Sequence, residues 1–374
     1  MTEITQVEAR ALTPAVMRFR YTSRSDEVFT TTTLVRITDT DGTSGIGAYD
    51  SDTFGAWDLA PMETLRPILP RLIGLDADDP DHIEAMLSDD HTSPFPPAVR
   101  STIDIALWDL AARRTGVPMR QALGGPSEAT SLPSYASVPL LDDERAYVAS
   151  IEGWVAAGFT AVKLHAWGDP DRDAALLRSV RARFVDLTLM HDAEGRYDRH
   201  GARARCADLR ERRRAMVRGA PARLRPRRLP EATPRRARRA GARRGRRPLG
   251  RATRRRGPAR PTVGRRKIRR LFRRWTDGRP QVDEVATDAG LDVELISYGH
   301  TVIQAANLHV ALAFGRTTYF EQAVPQEPFE HGVRNPIRTD RAGSVRAPDG
   351  QGLGIELDDE AIDHATIALA TASA

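Results

Sequence analysis

The chain has 374 residues, of which 40% are hydrophobic and 28% are charged, with a formal net charge of +6 and a single cysteine, Cys206. This length allows two domains with sizeable cores, whereas one cysteine excludes a disulfide framework and a metal site built from several thiolates. Because the N-terminal residues lack the features of a signal peptide and no apolar run reaches roughly 18 residues, we expect a cytoplasmic protein with no membrane partner.

The first part of the chain combines predicted strands with predicted helices. Residues 28–47 alternate apolar and polar side chains around the dipeptide Asp41-Gly42, which is typical of a β-hairpin. Helical periodicity follows at residues 57–75 and 97–115. The second of these stretches ends before Gly116, as helices often do.

After Gly125 the pattern changes to short apolar strands that alternate with helices. Such alternation indicates a parallel sheet whose strands are joined by helical crossovers. We favour a closed barrel over an open sheet, because residues able to do chemistry end several different strands, as they do in barrel enzymes. The predicted strands cover residues 131–140, 159–167, 185–195, 293–300 and 317–324. The predicted helices cover residues 142–158, 170–183, 281–291 and 301–315.

Residues 201–274 have a composition unlike that of the rest of the chain. They hold 30 Arg and one Lys against three acidic residues, a balance of +28, whereas the other 300 residues carry −22. Arg, Ala, Gly and Pro fill 56 of the 74 positions, and each of the four has codons that begin with two G or C bases. Apolar periodicity is absent, so the sequence predicts a disordered or poorly packed segment.

We interpret this segment as a stretch of a GC-rich gene translated out of frame. An eight-unit barrel averages about 31 residues per unit, so four units would need roughly 125 residues. Asp192 and His300 are 108 positions apart. The segment therefore stands in place of ordinary barrel residues, as a compensated pair of frameshifts would leave it. The alternative is a non-catalytic protein with an arginine-rich insert that binds nucleic acid electrostatically.

Six motifs occur in a characteristic order in the flanking regions. They are STIDIALWDLAARRTGVPMRQALGG at 101–125, KLH at 163–165, HDAEG at 191–195, ISYGH at 296–300, YFEQ at 319–322 and PDGQGLGIELDDEAI at 348–362. With these motifs the chain resembles the enolase superfamily, specifically its mandelate racemase and muconate lactonizing enzyme group. The resemblance covers residues 1–200 and the residues from about 275 to 374.

The resemblance implies an α/β fold, namely an enolase-type (β/α)7β barrel with an N-terminal α+β capping domain. Residues 1–125 would form the capping domain. Residues 126–330, which include the anomalous segment, would form the barrel domain. Residues 331–374 would return to the capping domain.

Four candidate site residues end the second and third predicted barrel strands. Lys163, one of two lysines in the chain, shares a strand face with His165, because side chains alternate along a strand. In the family, one member of this pair is a base and the other neutralises the substrate carboxylate. A histidine in the second place leaves the base assignment open. The resemblance makes Asp192 the first of three carboxylates that bind Mg²⁺, and Glu194 a substrate-binding residue.

His300 and Glu321 complete the set of candidate catalytic residues. In the family, the equivalent histidine is the acid or base on the face opposite the lysine. The equivalent glutamate stays protonated and donates a hydrogen bond to the developing enolate. An aspartate should accompany the histidine, but the corresponding position holds Arg273.

The metal site is incomplete in the sequence as written. The second and third Mg²⁺ carboxylates should end the fourth and fifth barrel strands, inside residues 201–274. Glu211 and Glu231 are the candidates there, and both are surrounded by arginine.

The chemistry implied is Mg²⁺-dependent removal of the proton next to a substrate carboxylate. Polar loops at residues 20–27 and 49–55 suit a polyhydroxylated acid, so we expect a lyase that dehydrates acid sugars, impaired in this chain by its middle segment. A racemase or epimerase, an isomerase acting on a hydroxy acid or related carboxylate, is the alternative. We also expect a small-molecule carboxylate as substrate, a homo-oligomer, and no nucleic-acid partner.

Overall fold

The computed structural model describes residues 2–13, 28–53, 55–88, 96–165, 167–193, 196–197, 215–218 and 292–374. Several predictions fall outside these residues. They are the polar loop at 20–27, Glu194, the helix at 281–291, and the state of residues 201–274 apart from 215–218.

The N-terminal part is built on a four-stranded antiparallel sheet. Its strands are β1 Ile4–Leu12, β2 Phe29–Asp39, β3 Ser44–Thr53 and β10 Thr366–Ser373. They lie in the order β10-β1-β2-β3, so the last strand of the chain pairs with the first. The predicted hairpin is present as β2 and β3. Gly42 in its turn has φ of 77°, a left-handed conformation that glycine adopts without steric cost.

Among the described residues from 55 to 122, five helices follow β3. They are α1 Ala60–Leu65, α2 Leu69–Leu72, α3 Pro80–Ser88, α4 Pro97–Arg114 and α5 Met119–Ala122. The prediction of one helix over residues 57–75 is wrong, since the chain forms α1 and α2 there with a turn between them. Pro70 lies in the first turn of α2, where a missing N–H breaks no hydrogen bond, whereas the same proline inside a longer helix would break one.

The helix predicted at 97–115 is present as α4, which packs closely against β3. Glycines on the strand make this approach possible. A Cβ atom on Gly45 would lie 2.1 Å from the carbonyl oxygen of Ala106, and one on Gly47 would lie 2.1 Å from that of Thr102. These distances exclude any larger residue at either position without a shift of the helix.

The second part of the chain forms a parallel sheet. Its strands are β4 Ser131–Val138, β5 Ala161–His165, β6 Thr188–Asp192, β7 Ala215–Arg218 and β8 Phe320–Ala323. They lie in the order β7-β6-β5-β4-β8, and each neighbouring pair is parallel. The short strand β9 Ser344–Arg346 pairs antiparallel with the start of β4. Parallel pairing brings the carboxyl ends of five strands to one rim.

Helices cover this sheet and continue into the C-terminal residues. They are α6 Glu144–Ala156, α7 Pro170–Arg183, α8 Thr301–Phe314 and α9 Asp359–Ala365, with a 3-10 turn at Glu327–Phe329. The predicted helices at 142–158, 170–183 and 301–315 are confirmed as α6, α7 and α8. The side chains of Asp143 and Asp169 cap α6 and α7 by accepting hydrogen bonds from first-turn amides.

The strand predicted at 293–300 is not a regular strand in the structure. Hydrogen bonds to neighbouring segments hold its backbone instead. The amide of Val293 donates to the carbonyl oxygen of Arg316, and the amide of Ser297 donates to the side chain of Glu321. The neighbouring strand expected on its other side comes before residue 292, outside the described residues.

A shared hydrophobic core holds the two parts of the molecule together. It contains Leu34 and Ile46 from the antiparallel sheet, Trp108 from α4, and Val302 and Leu308 from α8. Separate cores lie between the antiparallel sheet and its helices, and around β4, β5 and β6. The shared core places the antiparallel sheet over the start of α8. Within the described ranges, no helix is long and apolar enough to cross a membrane.

Candidate active site

Charged side chains from β5, β6 and β8 meet at the rim of the parallel sheet. Lys163 is only 4% exposed, and its Nζ atom donates a hydrogen bond to Oε1 of Glu321. The same Nζ atom lies 3.8 Å from Oδ2 of Asp192. We call Lys163, Asp192 and Glu321 the charged cluster. Each of its members is buried, so each depends on the others for compensation of its charge.

Glu321 accepts hydrogen bonds on both carboxylate oxygens. The hydroxyl of Ser137 donates to Oε1 at 3.0 Å, and the amide of Ser297 donates to Oε2 at 3.2 Å. Donors directed at a carboxylate, and a cation beside it, both favour its charged form. This differs from the expectation that Glu321 is a protonated donor. The difference arises because Lys163, far away in sequence, contacts it directly.

His165 lies on the same strand face as Lys163 and is fixed by a backbone contact. Its Nδ1 atom is 2.9 Å from the carbonyl oxygen of Val138, which can only accept, so Nδ1 carries the ring proton and Nε2 the lone pair. Burial, and next the positive charge of Lys163, lower the pKa of His165 to about 4. The imidazole is therefore neutral at pH 7.

Asp192 is the one expected Mg²⁺ ligand that lies within the described residues. It is the register partner of His165 across β5 and β6. Mg²⁺ needs near-octahedral oxygen coordination, and one carboxylate does not provide it. The described part of the chain contains no group of three or more His, Cys, Asp or Glu residues that could hold a metal ion. The residues present therefore do not fit Mg²⁺, while Glu194, Glu211 and Glu231 are outside the described residues.

His300 makes different contacts from those expected of an acid or base. It caps the N-terminus of α8, where its Nδ1 atom accepts a hydrogen bond from the amide of Val302 at 3.3 Å. Its Nε2 atom lies 2.8 Å from the carbonyl oxygen of His331 and so carries the proton. Burial, and next the neighbouring His331, lower the pKa of His300 to about 3. Both ring nitrogens are thus bonded to backbone groups. The expected aspartate position, Arg273, lies outside the described residues.

Several residues that contact the candidate site were not predicted from the sequence. Asp50 on β3 accepts a hydrogen bond from the amide of His300 at 2.7 Å, and burial raises the pKa of Asp50 to about 7. The ring of His331 lies 4.5 Å from that of His300. Asp50 belongs to the polar stretch at 49–55, which was a usable signal. Ser137 and Ser297 carried none, because serine is common in loops and at strand ends.

Two further histidines have structural contacts. His191 is fully buried, with Nε2 at 3.8 Å from Oδ2 of Asp173 behind the rim. His309, inside α8, accepts a hydrogen bond from the amide of Arg120 and lies 3.2 Å from the carbonyl oxygen of Leu353. Both rings tie neighbouring elements together.

Two family profiles match most of the chain. The N-terminal domain of mandelate racemase / muconate lactonizing enzyme matches residues 1–124. The enolase C-terminal domain-like family matches residues 146–217 and 280–361, leaving out residues 218–279 between them. The unmatched interval falls largely within the arginine-rich segment.

Solved structures resemble the whole chain. One from Pseudovibrio sp., described as a mandelate racemase/muconate lactonizing enzyme, is 27% identical with a TM-score of 0.79 over 100% of both chains. L-Talarate dehydratase from Polaromonas sp. JS666, solved with Mg and L-glucarate, has a TM-score of 0.72 over 100% of both chains at 18% identity, a likeness of fold.

Curated relatives align over shorter stretches. The o-succinylbenzoate synthase of Geobacillus kaustophilus is 31% identical over 175 residues, which is 44% of this chain and 43% of that protein. The chain therefore matches less than half the length of this relative.

Proposed function

The chain belongs to the mandelate racemase and muconate lactonizing enzyme group of the enolase superfamily, and we propose that its site removes the proton next to a substrate carboxylate. Its fold is accordingly the enolase-type barrel with an N-terminal capping domain. Its curated relatives are lyases and racemases. The observation that carries the proposal is the charged cluster lying beside a neutral His165.

We assign the base to His165 and a supporting charge to Lys163. A base near neutral pH needs a lone pair, which Nε2 of the neutral imidazole provides. The Lys163 ammonium is held by Glu321 and lies near Asp192. A fixed cation at this place stabilises the negative charge that grows as the α-proton leaves.

Dehydration of an acid that carries hydroxyls on its α- and β-carbons can proceed on one face with these residues. Nε2 of His165 takes the α-proton, and the electron pair left on the α-carbon forms a double bond to the β-carbon. The bond from the β-carbon to its hydroxyl breaks, and the imidazolium returns the proton to that oxygen, which leaves as water. The enol that remains becomes a 2-keto acid.

Racemisation would require a second proton donor on the opposite face of the substrate. His300, the candidate implied by the family resemblance, has both ring nitrogens bonded to backbone groups. This supports dehydration over racemisation. Asp50 and Asp52 on β3 belong to the polar stretch at 49–55, which suits a polyhydroxylated acid. An acid sugar is therefore the proposed substrate class.

The resemblance implies Mg²⁺ as cofactor, and L-talarate dehydratase was solved with Mg. Because the described residues supply one carboxylate ligand, we expect the chain as written to be impaired. The reframed chain, in which the arginine-rich segment is read in the neighbouring frame, should be active.

The test is incubation of both chains with aldonic and aldaric acids and Mg²⁺ in D₂O, followed by NMR. The reframed chain should form 2-keto acids, with the chain as written slower by at least about 100-fold. Inversion of the α-carbon without loss of water would identify a racemase instead. Absence of any exchange by a folded, Mg²⁺-binding reframed chain would refute the proposal.

A further inference from the structure

β7 ends directly beside the one described carboxylate of the metal site. Counting from β4, it is the fourth strand of the parallel sheet, and its backbone pairs in register with β6. The register partner of Asp192 across this pair is Arg218. A divalent cation at Asp192 needs a further oxygen ligand from a neighbouring strand end. Position 218 is at the right level of the rim, but the sequence has a cationic residue there.

The genetic code identifies which other frame could encode an acidic residue. Every Asp and Glu codon has A as its middle base. If the segment is read two bases later, the middle base of each new codon is the first base of a printed codon. That base is G or C for Ala, Gly, Pro and the CG-type Arg codons. That frame therefore encodes almost no acidic or large apolar residues. If the segment is read one base later, the middle base of each new codon is the unconstrained third base of a printed codon. That frame permits both acidic and large apolar residues.

The one-base-later frame is strongly constrained at the end of β7. Met216 is ATG and Val217 begins with GT, so the codon that spans them is TGG, tryptophan, whatever the third base of Val217. With a CG-type codon for Arg218, the next codon is TNC and encodes Phe, Ser, Tyr or Cys. The codon that spans Arg218 and Gly219 is GNG, which encodes Glu, Ala, Val or Gly.

We propose that Arg218 is an out-of-frame reading of glutamate, and that the loss of this carboxylate is one of the breaks in the Mg²⁺ site. Among the four residues that GNG allows, only glutamate is an oxygen ligand. The alignment with the Pseudovibrio sp. structure spans 100% of both chains, which supports a segment that stands in place of barrel residues. The first shift then lies before codon 216, within the last residues of the family match at 146–217, and the second lies before residue 280, where the match resumes.

The proposal rests on the proposed function only in requiring a divalent cation at Asp192. It makes a prediction about a single nucleotide: the third base of codon 218 is adenine, which makes the overlapping codon GAG. Sequencing the gene across codons 195–280 reads this base directly. Adenine supports the proposal, and any other base overturns it, whether or not the frame itself is corrected.

Calorimetric titration with Mg²⁺ gives an independent protein-level test. The reframed chain is compared with the same chain carrying glutamine in place of glutamate at position 218, with thermal unfolding as a check that both are folded. We expect the glutamine version to bind Mg²⁺ at least about tenfold more weakly. Equal affinities would overturn position 218 as a ligand. Mg²⁺ binding without α-proton exchange would refute the proposed function and leave this inference intact.

Discussion

His165 and His300 are both buried, neutral histidines beside the rim, yet the backbone binds them in opposite ways. At His165 a carbonyl group accepts from Nδ1, so the lone pair is on Nε2. At His300 a carbonyl group accepts from Nε2, and an amide donates to Nδ1. The role of a histidine near a strand end thus depends on which ring nitrogens the backbone uses.

The surroundings of the two rings differ as well. His165 lies in the field of the charged cluster, where a proton that it gains or loses changes a local balance of charges. His300 lies between the carbonyl group of His331 and the first turn of α8, with its own amide bound to Asp50. The surroundings of His165 suit proton transfer, whereas those of His300 suit a residue that caps the start of α8.

The largest expected contrast is in catalysis by the reframed chain. His165→Asn should slow α-proton exchange by about 100- to 10,000-fold, because it removes the base. His300→Asn should keep the rate within about tenfold, because asparagine is also a good N-cap. The measurement is NMR-monitored exchange in D₂O for both variants. Comparable losses in both would show that His300 takes part in proton transfer and that the contrast is wrong.

The charged cluster should show the next largest effect, in stability. Lys163→Met leaves the buried Glu321 without its cation and should lower the free energy of unfolding by about 3 to 5 kcal/mol. Adding Glu321→Gln should recover much of the loss. Denaturant unfolding of the chain as written measures both. Arg183→Met breaks an exposed pair with Glu152 and serves as the control, with little change expected. If Lys163→Met proved as mild as that control, Glu321 would not be a buried anion.

The pH dependence of stability should separate the two histidines. The ordinary histidine pKa is about 6.5, and folding lowers it to about 4 for His165 and to about 3 for His300. Below pH 6.5 the unfolded chain binds protons that the folded chain does not. Each neutral ring therefore makes its full contribution to the free energy of unfolding above pH 6.5. This contribution is lost as the pH falls toward the folded pKa, and for His165 it is about 3 kcal/mol.

NMR titration of the imidazoles measures this order directly. As the pH falls, His165 should become protonated before His300, and His165→Asn should flatten the stability curve between pH 6.5 and 4. A ring of His165 that titrates near pH 6.5 would mean that the folded environment does not disfavour its charge.

The smallest expected effect concerns the contact from β3 to His300. Asp50→Ala removes the acceptor of the His300 amide and should cost about 1 to 2 kcal/mol of unfolding free energy. Asp50→Asn keeps an acceptor oxygen and should cost less. Hydrogen exchange at the His300 amide is the sensitive measurement, since Asp50→Ala should speed it. Unchanged protection in that variant would show that the contact contributes nothing to fixing this helix start.

Much of the fold could be predicted because its signals are local. The helix α7 begins at Asp169 followed by Pro170, and α6 begins after Asp143, so capping residues mark both starts in the sequence. The division of residues 57–75 into two helices was missed because apolar periodicity continues across the break. The strand predicted at 293–300 depended on neighbours in the sheet, and one of these lies outside the described residues.

The candidate site was predictable in its members but less so in their states. The period of two along β5 is enough to place Lys163 and His165 on one face of the strand. The ion pair of Lys163 with Glu321 joins residues 158 positions apart, and no local pattern encodes it. The tautomer of His300 likewise depends on a carbonyl group 31 positions away. Contacts between residues far apart in the sequence therefore determine the ion pair and the tautomer, and sequence patterns did not show either of them.

The pairing of β10 with β1 has a consequence for the synthesis of the chain. Gln6 is opposite Ser373, so the edge of β1 that pairs with β10 has no partner until β10 has been synthesised. At about 5 to 20 residues per second, β1 leaves the ribosome on the order of 20 to 70 seconds before its partner exists. An open strand edge invites pairing with other chains during that time. A frame error left uncorrected before residue 366 would keep the edge open permanently, so the yield of aggregate-free protein reports on the reading frame without any catalytic assay.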